Sequence, residues 1–349
     1  MTSSGGKTVR EPALAGVGAS RDGTPRGRQL AKPLPAEGEG GLFTQSWFPI
    51  CLSSDVGKGE VKGYGFLDGR VIVFRGDDGV ARVTSAYCPH VGADLSVGNV
   101  VGNNIRCAFH HWEYGGDGAC VKTGVGDPPP PRASLFKFPS QEKFGIVWAY
   151  NGYDPHYDLP DFPYPDADLE FRTLAIDALM PVDPWVLCAN TPDFQHIRAL
   201  HGVHFDRDPV DEVEWTDHSM MYNFSGSHKQ GEEIDNRVGI FGTSLYYQHT
   251  LFNGKWFGFL SPFGLPEPGK SKAYMVVAVR KDMGTPEEAQ AFIDFVVDLE
   301  TQIVMEDVMV MQTIRFAPAN LTKSDNALSK FFSYVRNFPR AHPSAGFIA

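Results

Sequence analysis

The chain has 349 residues, 42% of them apolar and 21% charged, with a net charge of −11. That length allows about two domains around a large core, and the composition is that of a soluble globular protein. No apolar run approaches the ~18 residues that span a bilayer, the first residues lack an apolar signal-type segment, and an acidic balance without a basic tract disfavours nucleic acid as a partner.

Residues 1–41 are rich in Gly, Ser, Ala, Pro and Arg without apolar periodicity, the pattern of a disordered extension. From Leu42 the texture changes to short β-rich runs broken by glycine turns. Arg70–Arg75 and Val80–Ala86 read as a hairpin around Gly76-Asp-Asp-Gly79. A strand from Gly98 to Arg106 follows, and Phe144–Tyr150 closes an antiparallel β-domain spanning residues 42–153. Two segments at its loop tips carry the chemistry: Cys88-Pro-His90 and Cys107-Ala-Phe-His110. Two thiolates and two imidazoles are the donor set of a Rieske [2Fe–2S] centre, with the cysteines on one iron and the histidines on the other. A zinc site uses the same ligand types, but its usual order is two cysteines followed by two histidines. The alternating order here favours iron and sulfur. Neutral imidazoles make such a cluster easier to reduce, which suits an electron relay. His111 and Trp112 either tune the cluster or pack over its loop. Cys51, Cys120 and Cys188 are scattered, so small buried hydrophobes and a reducing cytoplasm are expected instead of disulfides.

The proline-dense residues 154–165 exclude helix and read as a connection to a second domain, residues 166–349. There, Thr191-Pro192 can start a helix carrying Asp193 and His196 about 60° apart on one face. His201 lies about 140° from His196 on an ideal helix, so the two could share a metal only if the helix ends or distorts first. Gly202 fits such an end. A second helix is expected from Thr285-Pro-Glu-Glu to about Arg315, with an apolar stripe including Phe292, Phe295, Val296, Leu299, Ile303 and Val310. Glu306 and Asp307 flank that stripe, and both can face inward. Two imidazoles and one carboxylate form the facial triad of non-heme Fe(II) oxygenases. His204, His218, His228 and His249 read as solvent-facing or core residues. Phe241, Tyr246, Phe252, Trp256 and Phe259 fit either an apolar pocket or ordinary core.

From about Trp47 to the C-terminus the chain resembles the terminal oxygenase (alpha-subunit) family of Rieske non-heme iron, ring-hydroxylating oxygenases. Cys88, His90, Cys107 and His110 match that family's cluster ligands, and Asn190, Asp193, His196 and His201 match its Asn-x₂-Asp-x₂-His-x₄-His pattern. Two positions depart from the usual pattern: Ala108 replaces a common proline, and Val91 a common arginine. The resemblance implies an α+β chain, an antiparallel Rieske domain followed by a helix-grip (START-like) catalytic domain. It also implies mononuclear Fe(2+) held by His196, His201 and an aspartate on the late helix, assigned here to Asp307 with Glu306 as the alternative. Asp193 would connect an iron histidine to the cluster histidine His110 of a neighbouring subunit in a homotrimer. Electrons would come from NAD(P)H through a separate reductase or ferredoxin, with O₂ and a small aromatic or alicyclic molecule as substrates. Hydroxylation or oxidative demethylation is the expected outcome. A desaturase or N-oxygenase with the same metals is the alternative, and a Rieske electron-transfer protein without its own catalysis a further one.

Overall fold

The structure is a computed structural model that describes residues 33–349 apart from 230 and 319. Its first half is built from β1 (Phe43–Thr44), β2 (Trp47–Leu52), β3 (Val61–Phe66), β4 (Gly69–Arg75), β5 (Ala81–Ser85), β6 (Asn99–Val101), β7 (Asn104–Arg106), β8 (Glu113–Tyr114), β9 (Cys120–Lys122), β10 (Ser140–Lys143) and β11 (Ile146–Tyr150). β2 to β11 form three antiparallel sheets, β3-β4-β5, β6-β7-β8-β9 and β10-β11-β2. The expected hairpin is β4–β5, with Val71 opposite Ser85 and Arg75 opposite Ala81.

Two expected strands are each shorter than the sequence suggests. Gly98–Arg106 is folded back on itself, because Gly102 adopts φ 60° and makes a tight turn between β6 and β7. Phe144 and Gly145 both have positive φ and form the two-residue turn between β10 and β11. The core of this half holds a run of edge-to-face rings, Phe48–Phe66 at 5.7 Å and Phe66–Phe138 at 5.3 Å.

The second half contains β12 (Leu169–Met180), α1 (Pro184–Cys188), α2 (Phe194–Ala199), β13 (His204–Phe205), β14 (Glu214–Trp215), β15 (Ser219–Ser227), β16 (Glu233–Phe241), β17 (Leu245–Phe252), β18 (Lys255–Glu267), β19 (Lys270–Arg280), α3 (Pro286–Met311), α4 (Asn326–Asn337), β20 (Arg340–Ala341) and α5 (Ala345–Ile348). One antiparallel sheet runs β12-β19-β18-β17-β16-β15-β13, with β14 also on β15. Both faces of its middle are covered. On one, Phe257, Phe259, Met275 and Val277 pack against Phe292, Ile293 and Val296 of α3. On the other, Leu260, Tyr274 and Val276 pack against Trp47, Trp148 and Tyr150 of the first half. The chain is therefore α+β, as expected, with a long helix held against an antiparallel sheet.

The connection 154–165 has no regular secondary structure but is firmly packed: Leu159 and Phe162 are buried in the core shared by the two halves. Gly258 admits that packing, since a Cβ there would lie 2.4 Å from the Phe162 ring. α3 begins where expected, its Thr285 hydroxyl accepting from Glu288 N and the Glu288 carboxylate accepting from Thr285 N. It stops at Met311, short of Arg315, and Phe295 and Val310 are 44% and 45% exposed. The buried stripe is rotated, running through Phe292, Ile293, Val296, Glu300 and Val308.

Of the expected disordered extension of residues 1–41, residues 1–32 lie outside the described residues, whereas Leu34 and Glu37 are packed into the fold. Glu37 is buried and accepts hydrogen bonds from Thr44 N at 2.9 Å and Thr44 Oγ1 at 2.8 Å. Arg340, in β20, reaches Glu37 at 3.4 Å and donates to the Leu42 carbonyl at 3.1 Å. β20 pairs with β1, and Asn151 Nδ2 donates to the carbonyls of Thr44 and Ala341. No helix among the described residues is long and apolar enough to cross a membrane.

Replacing Phe66 by Ala removes the central ring of the first-half core. A loss of about 3–5 kcal/mol is expected, read as a lowered midpoint in chemical denaturation.

Candidate active site

The two Cys/His segments are tight loops, each closed on its own cysteine. Cys88 N donates to the Ala93 carbonyl and Gly92 N to the Cys88 carbonyl, with Gly92 at φ 84°. In the second loop Cys107 N donates to the Trp112 carbonyl and His111 N to the Cys107 carbonyl, with His111 at φ 55°. Both thiols are buried, whereas His90 and His110 are exposed. The imidazole rings lie 4.6 Å apart, and Trp112 stacks on His90 at 4.3 Å. The Tyr114 hydroxyl lies 3.0 Å from Cys88 Sγ. Burial raises the Cys88 thiol; Tyr114 opposes that shift and Cys107 adds to it.

Cys88, Cys107, His90 and His110 could hold a [2Fe–2S] cluster. Segregated pairs of donors, thiols inward and imidazoles outward, suit two irons better than one tetrahedral ion. Tyr114 could donate to a cluster thiolate, and such contacts raise cluster potentials.

The second constellation depends on where a short helix stops. Thr191, expected to cap it, is buried, and its carbonyl accepts from the Tyr222 hydroxyl. The cap is Asp193, whose Oδ1 accepts from His196 N at 2.9 Å. α2 then ends at Ala199, and Gly202 adopts φ 66°. Ending the helix before His201 swings that imidazole toward His196, with ring centroids 4.5 Å apart. From α3, Asp307 Oδ1 lies 2.7 Å from His196 Nε2 and 3.3 Å from His201 Nε2. Among the described residues these three converge as a possible metal-ligand group, their ligand atoms within 4.8 Å of one another.

The neighbours fix the imidazole orientations. His196 Nδ1 lies 3.3 Å from the Asn190 carbonyl, and His201 Nδ1 lies 2.9 Å from Glu306 Oε2. Protonated Nδ1 atoms satisfy both acceptors and leave both Nε2 lone pairs for a metal. Glu306 thus stands behind His201 and also pairs with Lys229, while Asp307 meets both Nε2 atoms. Burial alone would raise Asp307, but His196 and His201 hold it down at about 2. Burial lowers His201, yet Asp307 and Glu306 outweigh that and raise it. A metal ion would replace the protons shared between these groups.

A cavity of about 180 Å³ opens beside the triad, and His196, His201 and Asp307 are in its wall. Of the aromatics considered from sequence, Tyr246, Phe252 and Phe259 line it. Phe241 and Trp256 point to the opposite face and pack with Tyr247 and Phe162. Strand alternation makes the division: on β17 the even residues face the cavity, and on β18 the odd ones do. Sequence reasoning missed Asn236 and Glu300, both buried in this wall. Glu300 left a trace, being a charged residue four positions after Val296 on the stripe.

Residues 46–138 match the family model of the Rieske [2Fe-2S] domain. The chain is 26% identical over 345 residues to cholesterol 7-desaturase of Bombyx mori, covering 90% of this chain and 72% of that protein. It is 28% identical over 126 residues to the oxygenase component of 3-ketosteroid-9-alpha-monooxygenase from Rhodococcus rhodochrous, covering 36% of this chain and 33% of that one. In fold it is similar to dicamba monooxygenase bound to 3,6-dichlorosalicylic acid, with a TM-score of 0.65, 19% identity, and 84% and 97% of the two chains covered. It is likewise similar to NdmA of Pseudomonas putida with caffeine, with a TM-score of 0.63, 18% identity, and 83% and 89% covered. The chain thus carries a Rieske [2Fe-2S] domain, its relatives are Rieske-type oxidoreductases that include an oxygenase component, and its fold is that of the monooxygenase structures it resembles.

A mononuclear iron on this triad would make Asp307→Ala lower iron from about three to about two per chain while leaving the cluster's visible spectrum intact. Replacing Glu306 by Gln should weaken retention of that third iron by about 10–100-fold. Anaerobic iron and sulfide analysis during chelator titration checks both.

Proposed function

We propose that this chain is the terminal oxygenase of a multicomponent system, oxidising a small aromatic or alicyclic molecule in the cavity beside α3. The observation that carries this reading is the meeting of His196, His201 and Asp307 in an apolar cavity wall, in a chain that also has a Rieske domain. When bound, the cluster on Cys88, His90, Cys107 and His110 supplies single-electron transfer, and Fe(2+) on the triad supplies O₂ activation. NAD(P)H contributes electrons indirectly, through a separate reductase or ferredoxin. The free cysteines, Cys51, Cys88, Cys107, Cys120 and Cys188, fit a reducing compartment such as the cytoplasm.

The protein's own groups perform the rest. His196 and His201 present their Nε2 atoms with orientation fixed by the Asn190 carbonyl and by Glu306. Asp307 supplies negative charge from the helix side, leaving the cavity side for substrate and O₂. Phe224, Phe257 and Phe259 give the substrate an apolar wall and keep bulk water from the reacting carbon.

His90 and His110 stand exposed between Val91 and Phe109, which are 59% and 65% exposed. That combination supports docking of this tip against a second copy of the chain in a homotrimer. Asp193 would receive it: Oδ1 is used by His196 N, and Oδ2 is free among the described residues to accept from an incoming imidazole.

Desaturation of the substrate is a second reading, favoured by the match to a cholesterol 7-desaturase along 90% of this chain. The same residues serve it, and the product distinguishes it from hydroxylation or demethylation.

Replacing Asp193 by Asn keeps a helix cap and should leave stability and the cluster spectrum unchanged. Product formation with a surrogate reductase is expected to fall by about 100-fold or more, comparable with loss of other essential positioning groups. Turnover at the wild-type rate would sink the connecting role.

A further inference from the structure

Glu300 lies two helical turns before Asp307 on α3, lines the cavity and is only 4% exposed. Among the described residues it has no hydrogen-bond or ion-pair partner. Buried carboxyls are ordinarily paired, because an unpaired one forfeits its hydration without compensation. Burial pushes this one up to about 8, with His201 pulling the other way. Around neutral pH the side chain is therefore mostly a carboxylic acid with an O–H to donate.

The sheet side of the cavity has the same polarity. Tyr246 donates to Gln248 Oε1 at 2.5 Å, Gln248 Nε2 donates to Thr250 Oγ1 at 2.7 Å, and the Thr250 hydroxyl donates to Asn236 Oδ1. The side-chain oxygens of Gln248, Thr250 and Asn236 serve as acceptors, and among the described residues the Asn236 amide N–H groups have no partner. Glu300 and Asn236 thus offer donors to a cavity that is otherwise mostly apolar. A ligand that satisfies them carries an acceptor oxygen; a cationic amine would meet N–H and O–H groups with the wrong sign.

We propose that Glu300 is a substrate-recognition residue, donating a hydrogen bond to a carbonyl or hydroxyl oxygen of an otherwise apolar ring compound. That contact sets which carbon faces His196, His201 and Asp307. The inference rests on the reading of this cavity as the substrate site.

The test uses the iron-loaded, cluster-containing protein, titrated anaerobically by calorimetry with 2-naphthol and 2-methylnaphthalene, which are similar in size and differ in the oxygen. Wild type and Glu300→Gln, which keeps a donor, should prefer 2-naphthol by roughly tenfold, the worth of one hydrogen bond. Glu300→Met should lose that preference while still binding 2-methylnaphthalene, which also shows that the variant is folded. A preference retained by Glu300→Met overturns the inference. So does its loss in Glu300→Gln, which would mean that the ligand meets a carboxylate. Failure of both probes to bind wild type would overturn the cavity reading itself, and the inference with it.

Discussion

The carboxylate of Asp307 touches the Nε2 atoms of two histidines that approach it from a different element, and the second half of the chain is organised around that contact. A half-buried carboxylate is stabilised where positive charge or strong donors surround it. Here the compensation comes from His196 and His201, with Lys229 and Glu306 arranged behind them. If α2 ran one turn further, His201 would leave the group. If α3 were rotated by one residue, Glu306 would enter it. The site is therefore a constraint on one helix terminus and one helix phase at once.

The sheet meets that constraint by being covered on both sides. β18 and β19 are buried along most of their length, one face under α3 and the other under β2 and β11 of the first half. α3 consequently rests on a platform that cannot flex without disturbing the Rieske half. Phe162 and Leu159 of the connecting segment are built into the same core, so the two halves share packing in place of a free tether.

Much of this was legible in the sequence where local chemistry is decisive. The Cys/His loops, the β4–β5 hairpin and the capped start of α3 each rest on neighbouring residues, and the structure places them close to expectation. Asp307 was separable from Glu306 only by helix phase, which one residue of uncertainty erases; the contacts to two Nε2 atoms distinguish them geometrically. The fold-back at Gly102 was missed because a short hairpin and a continuous strand have similar composition. β18 and β19 hide their cavity side because strands buried on both faces lose the alternation that marks inside from outside. Glu300 was passed over because charge on a helix usually means solvent, and only the tertiary structure places it in a wall.

The first and last described strands clasp one another. Glu37, Thr44, Asn151, Arg340 and Ala341 are knotted by hydrogen bonds across the β1–β20 pair. Sequence positions some 300 residues apart behave here as one patch of structure. Residues 37–44 and 340–341 therefore act as one unit, and a substitution in either segment loosens the hold on the other.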